Sequence, residues 1–585
     1  MKWILADKID ANKRNALKGY SDIEAQILFN KGIFSKADAD KFFKPTVNAF
    51  HASSLLPNVD AAVKAIITAI ENKQKIFIYG DYDVDGISAT AIMFDYLFRH
   101  LEADVLPYIP NRFEEGYGLG KAGLDAIIEQ GGKLVITVDC GIRDRELVAE
   151  YAAKGLVFII TDHHTISTNE TGELIYPQEA AAVVHPGLDK SYPFQQICAT
   201  TVAWKLVDYL NTKAKNLVKK EIDVSKYLDL VALATVCDIM PIIDENRAIV
   251  VAGIELIRQG KGNLGLLELC KLASVQPQDF DAYHYGFVIG PRLNAAGRIK
   301  HALDGVRLLT SNNLSQVEHL AGQLNELNTR RQNITETILR QALKAAGEQV
   351  ERGEQLIFVY GESWSEGVVG LVASKINEKY YKPVLVANIN TKEGIVKGSA
   401  RSIPGFDVTA AITQSKDLLL KFGGHNQAAG FTLELANLQL FITNLQDLAK
   451  KNIDDDMSEI KLLLDAKLQA KDIREDLVKF LEQFQPFGYG NREPVFWFEN
   501  LKVFGKPRLI GKDQKHLKFT VLTEFNLPVD VLGFNLASKI DIIAPNQLLD
   551  IVGSLNFNTW NGNRSLQIKL KDICVKTNAK SEVVG

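Results

Sequence analysis

Between residues 58 and 200, short apolar runs alternate with stretches of helical spacing. The apolar runs are KIFIYG, KLVITVDCG, LVFIITDHH and AAVVHP, and segments such as KAGLDAIIEQGG and RDRELVAEYAAKG separate them. Runs this apolar indicate strands that are buried on both faces, which is typical of a parallel sheet covered by helices. The pattern predicts an α/β domain that binds its ligands beyond the carboxyl ends of the strands.

The first of these strands runs into the hexapeptide DYDVDG. Its acids Asp81, Asp83 and Asp85, before a glycine, are typical of the first half of a calcium-binding EF-hand loop. Such a loop follows a helix and needs a glutamate at its twelfth position, which here is Ile92. A calcium loop is therefore disfavoured, and the alternative for the hexapeptide alone is an acidic turn without a ligand.

Two further strand ends carry metal-ligating residue types. Asp139 ends one run and Asp162, His163 and His164 end another, while Asp238 lies in a later apolar segment. Acids gathered at one sheet edge repel each other unless cations neutralise them. The set is too large for one three-ligand ion but suits two ions bridged by a carboxylate, as in phosphoryl transfer. Mixed carboxylate and imidazole ligation favours manganese, with magnesium or zinc as alternatives.

Composition excludes several classes of protein. A length of 585 residues predicts several domains, and a formal charge of −4 means that any nucleic-acid surface must be local. Five cysteines without CxxC spacing indicate neither a zinc ribbon nor a disulfide framework. The N-terminus lacks the apolar core of a signal peptide, and the longest apolar run, 230–243, is too short to span a bilayer. We therefore expect a cytoplasmic protein that does not enter a membrane.

The rest of the chain divides by pattern. Residues 1–50 are expected to form a helical lead with Ser21 as a helix cap, and residues 200–310 to be mainly helical. Residues 313–351 have the spacing of one long helix, or of two packed helices broken near Asn328 or Asn333. A second α/β unit follows, with EQLIFVYG, PVLVANI, IVKGSARS and AAGFTLE as its strands, and ends near residue 450.

Residues 460–580 predict a small antiparallel barrel. HLKFTVLTE and RSLQIKLKDI alternate with period two, and Asn561-Gly562 is a hairpin signal. Residues 502–519 carry seven cationic or potentially cationic side chains, interleaved with Phe504 and Phe519. This segment fits either a barrel that binds single-stranded nucleic acid or a solvated charged face.

Several motifs resemble a known family. DYDVDG, the aspartate of TVDCG, DHH and CDIMP resemble, in order, the four motifs of the DHH phosphoesterase superfamily. NRFEEGYG, GPRLNAAGRI, GSARS, FGGHNQAAGF and FQPFGYGNREPVF resemble its RecJ branch, the single-strand-specific DNA exonucleases. The resemblance implies an α/β fold with a parallel-sheet DHH domain (51–312), a connecting helix (313–351), a smaller α/β DHH-associated domain (352–452) and an OB-like β-barrel (456–578).

The resemblance also implies a reaction, which is hydrolysis of single-stranded DNA from its 5′ end to 5′-mononucleotides, in recombination and repair. Asp81 and Asp83 would hold one divalent ion, manganese or magnesium, and Asp139 would bridge it to the second ion. The second ion would bind Asp85, His163 and Asp238, while His164 would contact the scissile phosphate. A monomer is expected, with a RecQ-type helicase and a single-strand-binding protein as partners.

The same motifs supply expected DNA contacts, at Arg112, Tyr117, Arg292, Arg298, Ser399, Arg401 and His425. The arginines and the serine would bind phosphates near the 5′ end, with one of Arg292 and Arg298 structural instead. Tyr117 would stack on a base or simply pack, and the glycines around His425 would admit the DNA backbone or form a tight turn. Ser365 stands where related sequences tend to have histidine, which weakens any role for an imidazole there.

Two other classes of DHH protein compete with this assignment. Relatives that cleave small substrates, such as oligoribonucleases and inorganic pyrophosphatases, are typically shorter and lack a barrel. Scaffold relatives at replication forks keep the fold but lose metal ligands. Residues 460–580 and the complete ligand set favour an enzyme that acts on a polymer.

Overall fold

A computed structural model describes residues 1–46, 49–111, 115–116, 118–217, 222–299, 301–560 and 563–574. The chain divides into two compact units. Unit 1 contains residues 1–50, 239–251 and those from 461 onward, and unit 2 contains residues 51–238 and 252–460. Among the described residues, no helix combines the length and the apolar character that a membrane crossing requires.

The strands of the described residues are numbered along the chain and lie in five sheets. Three sheets have five or six strands, and two are short ribbons. The strands are β1 (Lys2–Leu5), β2 (Lys75–Gly80), β3 (Val105–Tyr108), β4 (Gly132–Val138), β5 (Val157–Thr161), β6 (Ser167–Thr168), β7 (Leu174–Ile175), β8 (Ala182–Val184), β9 (Ile357–Glu362), β10 (Val384–Asn390), β11 (Ile395–Arg401), β12 (Leu419–His425), β13 (Ala428–Glu434), β14 (Lys461–Leu464), β15 (Ala466–Leu468), β16 (Phe496–Ile510), β17 (His516–Leu522), β18 (Pro528–Gly533), β19 (Leu548–Trp560) and β20 (Asn563–Cys574).

The α-helices are numbered in the same way. A π-helix, His284–Ile289, leads directly into one of them. The α-helices are α1 (Ala11–Ala16), α2 (Asp22–Asn30), α3 (Lys36–Phe43), α4 (Val59–Glu71), α5 (Val84–Arg99), α6 (Lys121–Glu129), α7 (Arg145–Ala153), α8 (Ala199–Lys213), α9 (Leu228–Cys237), α10 (Asp244–Arg258), α11 (Leu264–Leu272), α12 (Gly290–Ile299), α13 (Leu303–Thr310), α14 (Leu314–Glu351), α15 (Glu366–Tyr380), α16 (Val408–Thr413), α17 (Leu438–Asn452) and α18 (Glu475–Glu482).

The first α/β domain of unit 2 has the predicted parallel sheet, in the order β3-β2-β4-β5-β8. The central strands are buried along nearly their whole length, which explains why their sequences are apolar rather than alternating. In register, Gly80 lies beside Val138, and Val138 lies beside Thr161. The residues that follow β2, β4 and β5 therefore meet at one edge.

Helix α14 is continuous over 38 residues, so the alternative of two packed helices is wrong. At 1.5 Å per residue its length is about 57 Å. Asn313 caps its first turn, and its buried side chains recur at helical spacing from Val317 to Ala346. This stripe explains why so long a helix is stable, since it packs on other elements over most of its length.

The second α/β domain of unit 2 contains a mixed sheet in the order β12-β13-β11-β10-β9. Only β9 and β10 are parallel, while the other neighbours are antiparallel. Its core includes Phe358, Phe431 and Phe441, whose ring centroids lie 5.3–6.1 Å apart. The sequence pattern identified four of the five strands and missed β12, in which glycines and exposed side chains replace an apolar run.

The C-terminal part of unit 1 is the predicted barrel. Strands β16, β17, β18, β20 and β19 follow one another, and pairing of β16 with β19 closes the barrel. The predicted hairpin turn at 561–562 lies outside the described residues, but its flanking strands β19 and β20 are antiparallel partners. Phe519 is buried in the barrel core at 2% exposure, so it cannot stack on a base as the sequence suggested, whereas Phe504 is 58% exposed.

The N-terminal lead is not purely helical. Strand β1 precedes α1, α2 and α3 and pairs in parallel with β14, with Trp3 beside Leu462. The indole of Trp3 also donates a hydrogen bond to Asp572. Sequence patterns miss this strand because it has only four residues and its partner is far away in the chain.

Arg247 is a buried cation in unit 1 that no sequence pattern indicates. Its guanidinium donates hydrogen bonds to the carbonyl oxygens of Phe42, Gln483, Phe484 and Gln485, and it lies 3.9 Å from the ring centroid of Phe42. Burial lowers its pKa to about 10, so it remains charged at neutral pH. One side chain therefore joins the end of α3 to the segment after α18.

We expect Arg247→Met to lower the free energy of unfolding by about 3 kcal/mol or more. Four carbonyl oxygens would lose a charged donor, that of Phe484 in a buried position, and a hydrogen bond to a charged group contributes about 1.5–3 kcal/mol. Urea and thermal unfolding measure the change. Lys479→Met, which removes an exposed pair with Glu475, is the control and should cost less than about 1 kcal/mol. Equal effects of the two substitutions would contradict this role of Arg247.

Candidate metal centre

The predicted ligands come together at the carboxyl edge of the parallel sheet. Asp81 follows β2, Asp139 follows β4, and His163 lies two residues after β5. Asp238 reaches the same place from the C-terminal cap of α9 rather than from a strand. Gly86 lets the start of α5 approach closely, since a Cβ there would lie 2.4 Å from the carbonyl oxygen of Asp81.

The ligand atoms form three overlapping groups of three, each with its atoms within 4.8 Å of one another. Two groups contain only predicted ligands, Asp81, Asp83 and Asp139 in one and Asp85, His163 and Asp238 in the other. The third group joins Asp139, His163 and His164. Nε2 of His163 lies 3.4 Å from Asp139, 3.5 Å from Asp238 and 3.7 Å from Asp85, so it connects the groups. The structure thus brings together all six side chains predicted as ligands, and the division between two ions that the resemblance implies stays a prediction.

Two of these acids are fixed by backbone amides. Asp83 caps α5, and one of its oxygens accepts hydrogen bonds from the amides of Asp85 and Gly86. The carboxylate of Asp85 accepts hydrogen bonds of 2.8 Å from the amides of Ala199 and Thr200, at the first turn of α8. Helix N-termini favour negative charge, so this arrangement stabilises carboxylates that otherwise repel each other.

Asp139 has a strained backbone at the point where the two groups meet. Its φ is 64°, in the left-handed region, and only 2% of the residue is exposed. Such a conformation costs of order 1–3 kcal/mol outside glycine and clusters at functional sites. The strain turns the carboxylate of Asp139 toward both groups instead of along the strand.

Burial, together with repulsion between carboxylates, sets the electrostatics of the centre. Burial and the neighbouring carboxylates, Asp85 first among them, raise the pKa of Asp139 well above its ordinary value. The same causes raise the pKa of Asp238 to about 9, although its side chain keeps 28% exposure. Burial lowers the pKa of His163, which leaves its ring neutral with a lone pair for a metal ion.

The residues present fit divalent cations. Nε2 of His163 and Oδ2 of Asp238 are buried and have no hydrogen-bond partner among the described residues. Oxygen and imidazole ligands around repelling carboxylates are the donor set that manganese and magnesium accept, with imidazole better matched to manganese. The two groups of three have the composition expected of a two-ion site.

Asp162 orients the histidine loop rather than joining the ligand groups. Its carboxylate accepts hydrogen bonds from the amides of Ile142, His163 and His164, and it lies 2.8 Å from Nδ1 of His164. Burial alone would raise the pKa of Asp162, but the His164 contact outweighs it and lowers the pKa. Burial alone would lower the pKa of His164, but the hydrogen bond and the negative charge of Asp162 outweigh burial and raise this pKa. His164 is thus held as a hydrogen-bond donor beside Asp139.

His185 supports the same loop, although no sequence motif points to it. Its Nδ1 accepts a hydrogen bond from the amide of Gly187, so its Nε2 carries the proton and donates to the carbonyl oxygen of His164 at 2.8 Å. The residue is 4% exposed. Both ring nitrogens are used, which fixes the loop between β5 and β8.

A second cluster lies where α12 meets α15. Arg298 donates a hydrogen bond to the carbonyl oxygen of Gly367, in the first turn of α15. A Cβ at Gly370 would lie 3.1 Å from Arg401 and 3.4 Å from the hydroxyl of Ser399. Arg401 also donates to the hydroxyl of Ser374 and to the carbonyl oxygen of Ala400, so it lies along the middle of α15. Two guanidinium groups and a hydroxyl along one helix have the chemistry of an anion pocket.

The other predicted DNA contacts have different surroundings. Arg292 turns away from the pocket and donates to Asn325 and to the carbonyl oxygen of Val288. His425 is exposed at the end of β12, and Arg112 and Tyr117 lie outside the described residues. Arg298 therefore contacts α15, the helix that Ser399 and Arg401 also approach, whereas Arg292 contacts Asn325 on α14.

Comparisons with known proteins identify the family of the chain. Family models match the DHH family N-terminal domain at residues 75–235, the DHHA1 domain at 353–451 and the RecJ OB domain at 464–572. The chain is 34% identical to the single-stranded-DNA-specific exonuclease RecJ of Bacillus subtilis over 94% of this chain and 68% of that protein. It is 33% identical to RecJ of Salmonella typhimurium over 88% of this chain and 90% of that protein. The chain belongs to the RecJ family.

Solved RecJ structures have the same fold. RecJ of Thermus thermophilus in complex with Mn²⁺ has a TM-score of 0.81 and 26% identity, over 100% of this chain and 80% of that chain. The same protein in complex with Mg²⁺ has a TM-score of 0.76 and 25% identity, over 99% and 79%. The α/β architecture and the C-terminal barrel predicted from the RecJ resemblance are confirmed.

Within this RecJ-type centre, metal binding should release protons. Because the pKa of Asp238 is raised to about 9, the metal-free protein holds a proton there at pH 7.5, and a cation must displace it. Calorimetry with Mn²⁺ in two buffers of different ionisation enthalpy should show release of about one proton or more, with affinity rising from pH 6.5 to 8.5.

Asp238→Asn should release fewer protons than the wild type. Asp229→Asn changes another buried carboxylate of the same helix, which hydrogen-bonds to the amides of Leu230 and Asn263 instead of facing the centre. This control should release protons as the wild type does. Binding without proton release in the wild type would contradict the raised pKa of Asp238.

Proposed function

We propose that this protein is a single-stranded-DNA-specific exonuclease that hydrolyses DNA from the 5′ end and releases 5′-mononucleotides with two divalent ions. The observation that carries the proposal is the pairing of two ligand groups around Asp139 with an anion pocket in the same unit. Relatives in the RecJ family carry the name of single-stranded-DNA-specific exonuclease, which supports the substrate.

The residues of the metal centre would bind different ions. Asp81 and Asp83 would hold one ion, Asp85, His163 and Asp238 the other, with Asp139 shared. When bound, the two ions acidify a water molecule and neutralise charge on the scissile phosphate. Manganese is the better match for this ligand set, and RecJ of Thermus thermophilus has been solved with manganese and with magnesium.

His164 is suited to contact the phosphate that is cut. Its Nδ1 lies 2.8 Å from the carboxylate of Asp162, which orients the ring, and an imidazole so oriented can donate to a phosphate oxygen. Its raised pKa favours the protonated ring, which is the better donor to an oxyanion. Asp162 and His185 act as positioning residues, because each holds the loop without joining either ligand group.

The anion pocket explains why cleavage would start at an end. Arg298, Ser399 and Arg401 would bind the terminal 5′-phosphate, and Gly297 brings the pocket helix against the metal loop, since a Cβ there would lie 2.6 Å from the carbonyl oxygen of Tyr82. A fixed terminal phosphate presents the next phosphodiester to the centre. A mononucleotide is then the product, whatever the base.

Further features of the chain support a polymer substrate and a cellular role. The barrel exposes Phe504 and many cationic side chains, which suit a single strand held by stacking and charge. We further propose that the protein acts as a cytoplasmic monomer with a RecQ-type helicase and a single-strand-binding protein, in recombination and repair. This part of the proposal is supported by family resemblance alone.

End-labelled DNA tests the reaction directly. With Mn²⁺ or Mg²⁺, we expect mononucleotides from single strands with a free 5′ end, and none from blunt duplexes, blocked 5′ ends or samples with a chelator. Asp139→Asn should lower the rate more than about 100-fold, because even changes beyond the direct ligands cost roughly 10- to 100-fold. Asp189→Asn, an exposed carboxylate, is the control. Degradation from the 3′ end, or activity in the absence of Asp139, would contradict the proposal.

A second prediction concerns the 5′-phosphate. Arg298→Ala and Arg401→Ala should each raise KM for 5′-phosphorylated strands about 10-fold or more, because hydrogen bonds to charged groups contribute about 1.5–3 kcal/mol. Their effect should largely disappear on strands with a 5′-hydroxyl. Arg292→Ala is the matched control on the same helix, and its KM should not depend on the 5′-phosphate, since Arg292 faces Asn325. If the KM of Arg292→Ala depended more on the 5′-phosphate than the KM of Arg298→Ala, Arg292 and not Arg298 would be the residue that binds this phosphate.

A further inference from the structure

Two aromatic side chains stand out on the surface of unit 2. Phe287 is 71% exposed and Tyr283 is 60% exposed, the highest values among large hydrophobic side chains in the described part of that unit. Their ring centroids lie 4.9 Å apart with planes inclined by 22°, so the two rings stack. Exposing two large rings to water is unfavourable, so a ligand that covered this pair would be stabilised by the contact.

The backbone below the pair is rigid and unusual. Phe287 lies within the π-helix and Tyr283 immediately before it, and π-helical turns are rare and frequent at functional sites. The inward residues Tyr285 and Ile289 are both 0% exposed, and Phe280 packs edge-on against Tyr285 at 4.7 Å. The outward rings therefore project from a packed base rather than from a loose loop.

The same π-helix lies directly beside the metal centre. The thiol of Cys237, next to the ligand Asp238, donates a hydrogen bond to the carbonyl oxygen of Tyr285. Gly290 packs so closely on Cys237 that a Cβ would lie 2.3 Å from its sulfur, and Gly286 lies against Val236. Helix α12 then continues from the π-helix to Arg298 in the anion pocket.

We propose that Tyr283 and Phe287 form a stacking platform for nucleobases of the DNA strand bound at the metal centre, an inference that rests on the proposed function. The metal centre and the anion pocket would bind phosphates, so the bases of the same strand require a different surface. Aromatic rings bind any base through its flat face, which suits a nuclease that must accept every sequence. Neutral rings also add no charge beside the acidic centre.

A second stacked pair in the same unit provides a matched control. Phe94 and Phe98 lie on α5 with centroids 5.3 Å apart and planes inclined by 7°, and Phe98 is 52% exposed. Thirteen residues of helix separate Phe98 from the ligand Asp85, or about 20 Å at 1.5 Å per residue. Phe98→Ala therefore removes an exposed stacked ring far from the substrate.

The test uses the full-length protein with Mn²⁺ and 5′-phosphorylated single strands. Phe287→Ala and Tyr283→Ala should each raise KM about 5- to 100-fold, the range that stacking of one base supports. On strands that are abasic at their 5′-terminal positions, the variants should match the wild type within about twofold. Fluorescence of 2-aminopurine near the 5′ end should be quenched by the wild type and by Phe98→Ala, and less by Phe287→Ala.

Several outcomes would overturn the platform. One is a KM for Phe287→Ala equal to that of Phe98→Ala, and another is an equal loss on abasic and normal strands, which would indicate a structural role. A wild-type dimer that Phe287→Ala converts to a monomer would show that a second copy covers the rings instead. A wild type that fails to degrade any single strand would overturn the proposed function itself, whereas an active wild type with unchanged variants overturns the platform alone.

Discussion

Repulsion among carboxylates at one sheet edge is the constraint on which the rest of the structure depends. Five aspartates and His163 occupy a space in which ligand atoms lie within 4.8 Å of their neighbours. The fold holds them there by giving Asp85 the amides at the start of α8, Asp83 those at the start of α5, and Asp139 a left-handed backbone. This arrangement is unfavourable in free energy, and burial of the apolar sheet by the helices that cover it must offset that cost.

Close backbone approach connects the centre to the anion pocket. Gly297 contacts the carbonyl of Tyr82 inside the metal loop, and the next residue, Arg298, reaches the first turn of α15. One turn further along α15, Gly370 makes room for Arg401 and Ser399. A side chain at Gly297 or Gly370 would clash with these neighbours, so the spacing between the pocket and the metal loop depends on the absence of a Cβ atom at both positions.

The sequence predicted the parts of the fold that local patterns encode. Buried parallel strands need continuous apolar runs, so the sequence alone locates the ends of β2, β4 and β5. The ligands Asp81, Asp139 and His163, which follow these ends, could therefore be predicted. Features set by distant contacts were not visible, because β1 depends on β14, and Arg247 depends on carbonyls of the segment 483–485. Phe519 was misread because period-two alternation does not reveal which face of a strand is inside.

The choice between Arg292 and Arg298 shows what a motif alone leaves open. The two arginines lie six residues apart in one helix, so they project in clearly different directions. Only the packing of α12 decides which of them faces α15, and Asn325 on α14 takes the other. The same packing turns the preceding π-helix so that Tyr285 faces inward and Phe287 faces water. One helical element thus presents the stacked rings at one end and Arg298 at the other, which is the arrangement that the proposed binding of bases and of the 5′-phosphate requires.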